Sequence, residues 1–142
     1  MVQALAAART AAAEGEVPVG AALVHDGEII ALAANAPRLL CDPTAHAEIR
    51  AIRAGARALG RDRLEDCDLY VTLEPCAMCA GAIAHARVRR LYYGASDPKG
   101  GAVEHGARFF AQPTCHHRPE VYGGIGEAEA AVLLRQFFTA RR

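Results

Sequence analysis

The sequence predicts an α/β fold, a three-layer α/β/α sandwich built on one central mixed sheet of five strands. Three observations carry this. Helical and extended apolar patterns follow one another in the order α-β-β-α-β-α-β, and a short strand and a last helix close the chain. The first two strands meet at Asp26-Gly27, a dipeptide that tolerates positive φ at a tight turn, so the sheet opens with an antiparallel hairpin. The chain has 142 residues, the size of one domain, so all five strands are expected in a single unit over 1–142.

The first helix covers about 2–14; it is alanine-rich and ends at Gly15, a residue suited to a helix C-terminus. A secretory leader would need a basic amino-terminal stretch, which is missing, and Arg9 interrupts the apolar run. A cytoplasmic chain is therefore expected. Residues 19–25 and 28–34 form the hairpin. Asp42-Pro43-Thr44 supplies an N-cap candidate and a first-turn proline, so the second helix is expected to follow directly and run to about Leu59. A loop over 60–66 leads to a strand at 69–73. Pro75 opens a third helix from Cys76 to about His85, and 88–93 is the next strand. Residues 95–118, rich in Gly, Pro, His and Asp, read as loop. A short strand at 120–122 and an amphipathic helix at 127–140 complete the order.

Composition narrows the function. With 52% hydrophobic and 23% charged residues the chain is not disordered. No apolar run approaches the roughly 20 residues of a membrane span. Net charge is zero, which excludes a wholly basic nucleic-acid coat. The charge is nonetheless uneven: residues 1–74 carry 7 basic and 11 acidic side chains, residues 75–142 carry 9 and 5. Arg87, Arg89, Arg90, Lys99 (the only lysine), Arg108, Arg141 and Arg142 are candidates for contact with phosphate.

The chemistry is concentrated in two short segments. Pro75-Cys76-Ala77-Met78-Cys79 places two thiols at i and i+3, on one face of a helix start, where they can grip one ion. The helix N-terminus favours their thiolate form. A C-x-x-C pair alone serves metal binding and redox chemistry equally. His46-Ala47-Glu48, thirty residues earlier, adds a third ligand. Three protein ligands leave the open fourth position of a catalytic zinc, and Glu48 is then free to act as a base. Glu48 does not fit a capping box, because three residues after Asp42 and Thr44 come Ala45 and Ala47. Residues at i and i+2 of a regular helix diverge, so His46 and Glu48 can converge only at a helix tip.

His-x-Glu followed by Pro-Cys-x-x-Cys resembles the zinc-dependent nucleobase deaminases, for which that signature is established. The resemblance extends to 16–21 (Glu-Val-Pro-Val-Gly-Ala), Asn35, 42–48, 70–76, 78–82, Asp97-x-Lys99-x-Gly101-Ala102 and the ending Phe137-Phe138 with Arg141-Arg142. Over nearly its whole length the chain is similar to the bacterial tRNA-specific adenosine deaminases of the cytidine/deoxycytidylate deaminase superfamily. The resemblance implies a cytidine deaminase-like fold and one Zn2+ per subunit on His46, Cys76 and Cys79. It implies hydrolytic conversion of adenosine to inosine at the wobble position of an arginine tRNA with anticodon ACG. Glu48 would be the catalytic proton carrier. Asn35 would contact the flipped nucleoside, Val17 and Leu73 would wall the base pocket, and the backbone at Ala47 would line it. Asp97 and Lys99 would stand on the loop that holds the tRNA anticodon stem-loop. A homodimer is implied, with each site completed by the neighbouring subunit.

Several alternatives stay open at this level. A guanine or other free nucleobase or nucleoside deaminase shares the zinc motif. A zinc-stabilised RNA-binding protein without catalysis would need a fourth ligand, for which Cys115 and His116 are available. A second metal site within Thr114-Cys115-His116-His117-Arg118 is conceivable. Glu74, beside the ligand cysteines, rivals Glu48 as the base, but only Glu48 has the His-x-Glu spacing. Cys41 and Cys67 read as plain small residues, and His85 as a surface residue.

Overall fold

The computed structural model describes residues 1–141; Arg142, one of the candidate phosphate-contacting arginines, lies outside the described residues. Its elements are α1 (Val2–Ala13), β1 (Gly20–His25), β2 (Glu28–Ala34), α2 (Ala47–Leu59), β3 (Cys67–Leu73), α3 (Ala77–Ala86), β4 (Arg90–Ala95), a 3-10 turn (Phe109–Ala111), β5 (Glu120–Tyr122) and α4 (Glu127–Thr139). The five strands form one sheet in the order β2-β1-β3-β4-β5. β1 pairs antiparallel with both β2 and β3, whereas β3–β4 and β4–β5 are parallel. The mixed sheet expected from the hairpin and the alternating elements is thus present.

Two apolar clusters mark the two faces. Ala47, Ala51, Ala80, Ile83 and Ala84 of α2 and α3 meet Leu23, Leu69, Val71 and Leu91 of the sheet. On the other face Leu5 of α1 and Ala130 of α4 meet Ala95 and the half-buried Leu73. The alanine content has a packing reason. Ala4, Ala8 and Ala11, spaced one helical turn apart, are fully buried and let α1 lie close on the sheet. Gly20 completes that approach, since a Cβ there would stand 1.9 Å from the Ala4 carbonyl oxygen and 2.7 Å from the Ala8 nitrogen. Both obstacles are backbone, so α1 would have to lift off. Gly20→Ala is expected to cost about 1–3 kcal/mol by overpacking. Gly81→Ala, where the nearest atoms are the Phe109 ring at 3.8 Å, is expected to be neutral or stabilising. Urea unfolding midpoints of the two variants check this contrast.

One element boundary differs from the sequence expectation in a way that matters for the site. The second helix does not follow Asp42-Pro43-Thr44 directly; it begins at Ala47, with His46 as N-cap in extended conformation (φ −71°, ψ 152°). The Asp42 carboxylate is engaged earlier, accepting from the Thr44 N–H at 2.9 Å and its hydroxyl at 2.7 Å. That local turn satisfies the capping side chain before a helix can start, a competition Asp enters readily. No helix among the described residues is long and apolar enough to cross a membrane.

Candidate active site

The site grows from two helix starts. α2 opens at His46, and its first carbonyl accepts from the Arg50 N–H at 3.0 Å. β3 ends at Leu73, and after Glu74 and Pro75 the chain opens α3 with Cys76 as N-cap (φ −73°, ψ 176°) and Cys79 in its first turn. The late start of α2 removes the divergence of i and i+2. His46 stands before the helix and Glu48 inside its first turn, so both reach the same point.

His46 Nδ1 lies 3.6 Å from Cys76 Sγ and 3.5 Å from Cys79 Sγ. All three donor atoms lie within 4.8 Å of one another. Zinc bonds of about 2.0–2.1 Å to nitrogen and 2.3 Å to sulfur give a tetrahedral N···S edge of roughly 3.6 Å, so this triangle fits zinc. Two amino-terminal helix dipoles converge on it and favour anionic sulfur. The Cys76 thiol is pulled down to about 5, chiefly by hydrogen bonding from Cys79, with the Cys79 backbone N–H and His46 adding to it against burial. Cys79 is pushed up because its S–H donates a hydrogen bond to Cys76 and because it is buried.

Glu48 is 3% exposed and adjoins all three ligands. Burial raises its carboxyl above the usual range, its own backbone N–H opposes that, and negative charge on Cys76 adds to the rise. A carboxyl so placed holds a proton more readily than an exposed one, as suits a general acid–base. The rival carboxylate, Glu74, faces away from this chemistry. Its Oε2 accepts from the backbone N–H groups of Val103, Glu104 and His105 at 3.1 Å each. Its Oε1 accepts from the Asp97 N–H at 3.0 Å and lies 2.8 Å from His105 Nδ1. Burial pushes its carboxyl up, but the Asp97 N–H, the His105 ring and the other loop amides outweigh this and hold it below the usual range.

Val17, Leu73, Asp97 and Lys99 line one cleft of about 930 Å3. Asn35, just after β2, is buried with its N–H bonded to the Val19 carbonyl at 2.9 Å, and Ala47, between His46 and Glu48, is fully buried. Asp97 also builds the turn that displays Lys99: its Oδ1 accepts from the Lys99 N–H at 3.2 Å and the Gly100 N–H at 2.9 Å. Of the opposite wall the sequence singled out Arg141 alone, as a candidate for phosphate contact. Leu134, Arg135, Phe138, Thr139 and Arg141, from α4 and its end, complete the cleft. Its signal was the aromatic pair with arginines on the last helix. Arg141 lies over the Phe137 ring, 3.6 Å from its centroid.

Other sequence candidates are not brought here. Arg89 and Arg90 stand at the start of β4, while the metal site lies beyond the far end of its neighbour β3. Both are paired with acids, Arg89 with Asp68 and Arg90 with Glu120. His85 is exposed, as read from its position late in the helix. Cys67 is buried, and Cys41 is exposed with φ +50°. His117 Nε2 lies 2.6 Å from the Val88 carbonyl, and Cys115 donates to the His117 carbonyl at 3.1 Å. Among the described residues the only group of three metal-compatible side chains is His46, Cys76 and Cys79. Among the described residues Thr114–Arg118 brings no further such group together and adds no side chain to this one.

With this geometry in view, the comparisons are specific. A family profile, the cytidine and deoxycytidylate deaminase zinc-binding region, matches residues 1–95. The chain is 62% identical over 142 residues to the tRNA-specific adenosine deaminase of Agrobacterium fabrum, covering 100% of this chain and 93% of that protein. A structure solved in a study of A-to-I editing by tRNA:A34 deaminases at the wobble position superposes with TM-score 0.93 at 62% identity, over 94% of this chain and 97% of that one. The guanine deaminase of Bacillus subtilis is more distant, with TM-score 0.67 and 34% identity over 99% of this chain and 90% of that one.

Proposed function

Since the chain belongs to the zinc-binding cytidine and deoxycytidylate deaminase family, we infer that it is a hydrolytic adenosine deaminase that converts the wobble adenosine of a tRNA anticodon to inosine. The arginine tRNA with anticodon ACG is the substrate of this reading. The observation that carries it is the open three-ligand triangle with the buried Glu48 carboxyl beside it.

His46, Cys76 and Cys79 would hold zinc, which would supply the acidification that makes a water nucleophilic. Glu48 takes a proton from the attacking water and delivers it to N1 of the adenine. C6 gains the oxygen. Glu48 then carries the second proton to the exocyclic amine, which leaves as ammonia. The Glu48 burial that raises its carboxyl supports both directions of transfer. Val17 and Leu73 wall the base, Asn35 and the Ala47 backbone hold the nucleoside, and Asp97 and Lys99 hold the adjoining RNA. The shared cleft supports this division, because its apolar residues Val17, Leu73, Leu134 and Phe138 suit a base and Lys99, Arg135 and Arg141 suit phosphate. A homodimer in the cytoplasm, with each site completed by the neighbouring subunit, belongs to the same reading.

The second reading is a guanine deaminase, favoured by the likeness to the Bacillus subtilis structure. One substrate comparison separates them. Zinc-replete protein is incubated with an ACG anticodon stem-loop and, separately, with guanine, adenosine and cytidine. Inosine confined to the wobble position is expected. Ammonia from guanine with the stem-loop untouched replaces the first reading with the second.

A further inference from the structure

We propose that Glu74 is a positioning residue whose carboxylate anchors the 97–105 loop and thereby sets where Asp97 and Lys99 stand relative to the metal triangle. The inference rests on the tRNA reading for what the loop binds, and on geometry for what Glu74 does.

The carboxylate is the centre around which the loop is wound. Four backbone N–H groups, from Asp97, Val103, Glu104 and His105, converge on its two oxygens, and the His105 ring closes the set. The side chain has 0% exposure. Gly101 is required by this winding. A Cβ there would stand 2.5 Å from the Glu74 carboxyl and 2.5 Å from the Asp97 carbonyl oxygen. The segment from Ser96 to Arg108 has no helix or strand to hold it. A buried anion that satisfies several amides at once supplies the order that regular structure would otherwise supply.

The backbone at Glu74 explains why the anchor reaches function. Leu73, a cleft wall, precedes it, and Pro75 and the ligand Cys76 follow it. The Glu74 N–H is tied to the Ala95 carbonyl at 2.8 Å, and the Pro75 carbonyl accepts from the Ala102 N–H at 2.8 Å. One short stretch of chain therefore registers the substrate loop against the metal centre. Productive geometry tolerates little displacement, so a loop freed from this anchor weakens RNA binding before it slows the chemical step.

The test uses the zinc-loaded full chain. Glu74→Gln retains the size but leaves one acceptor oxygen where there were two. Amide hydrogen exchange over 97–105 is expected to accelerate about tenfold or more as those bonds open. KM for the ACG stem-loop is expected to rise about tenfold while kcat stays within about threefold, the pattern of lost binding and not of lost chemistry. Zinc stays at one per chain. Lys99→Ala is expected to cost less in the Glu74→Gln background than alone, because the two residues act through one loop. His105→Ala, which removes only the ring contact, gives the same pattern at smaller size and serves if larger changes at Glu74 prevent folding. Unchanged exchange over 97–105 overturns the proposal, as does a fall in kcat at constant KM or strict additivity with Lys99→Ala. If the wild-type protein forms no inosine on the stem-loop, the substrate reading fails, and the exchange measurement still decides the anchor.

Discussion

Glu48→Gln leaves a protein that binds zinc and RNA and forms no detectable inosine. A positioned general acid–base contributes about 10²–10⁴-fold, and Glu48 serves both proton transfers, so a loss at the upper end of that range or beyond is expected. The amide matches the carboxyl in size but cannot take a proton from water. Stability moves in the opposite direction. Glu48 is 3% exposed, and burial already disfavours its charged form. Replacing it by a neutral isostere removes that penalty, so Tm is expected to hold or rise, as at sites where activity is maintained against stability. Single-turnover inosine formation, metal analysis and thermal unfolding on one preparation check the three parts. Retained turnover ends the assignment of Glu48 as the proton carrier, and lost zinc would make it a ligand.

Cys76→Ala removes a ligand and with it zinc, activity and much of the stability. Two remaining donors do not hold the ion against dilution. A bound metal stabilises the fold by about 4 kcal/mol when its free concentration is a thousandfold above Kd, and that contribution vanishes in the variant. The chain still folds, because the apolar core on both sheet faces does not depend on the ion. Zinc stoichiometry and Tm measured with and without added zinc report this, and full zinc occupancy in the variant overturns the ligand set. The same site predicts a proton count. In the metal-free protein the hydrogen bond from Cys79 pulls the Cys76 thiol down to about 5, and the same bond with burial pushes Cys79 up. Zinc uptake at pH 7 is therefore expected to release about one proton, and below about pH 5 release rises as Cys76 also protonates. Proton release in weakly buffered solution during zinc titration measures it.

Much of this was readable from local patterns. Element order and the Asp26-Gly27 turn sufficed for the mixed sheet, because hairpin pairing and apolar periodicity are short-range properties. The metal ligands were readable because helix geometry places i and i+3 thiols together whatever surrounds them. The start of the second helix was misread, since Asp42 can cap a helix or close its own turn and nothing within a few residues decides between them. The role of Glu74 was also out of reach. A carboxylate beside two ligand cysteines reads as a possible base, and only the return of residues 97–105, more than twenty positions later, shows where its oxygens point.

Residue types and their spacing thus determined that a mixed sheet opens with a hairpin, that Cys76 stands at a helix start, and the kind of ion that His46, Cys76 and Cys79 hold. These follow from turn chemistry, helical periodicity and ligand valence, which act over a few residues. The tertiary structure alone decided that the Glu74 carboxylate turns from the metal and anchors a loop. It also decided that α4 walls the cleft and that Arg89 and Arg90 are paired away from it. Those outcomes depend on burial and on contacts between residues far apart in the chain, and burial is a property of the assembled fold.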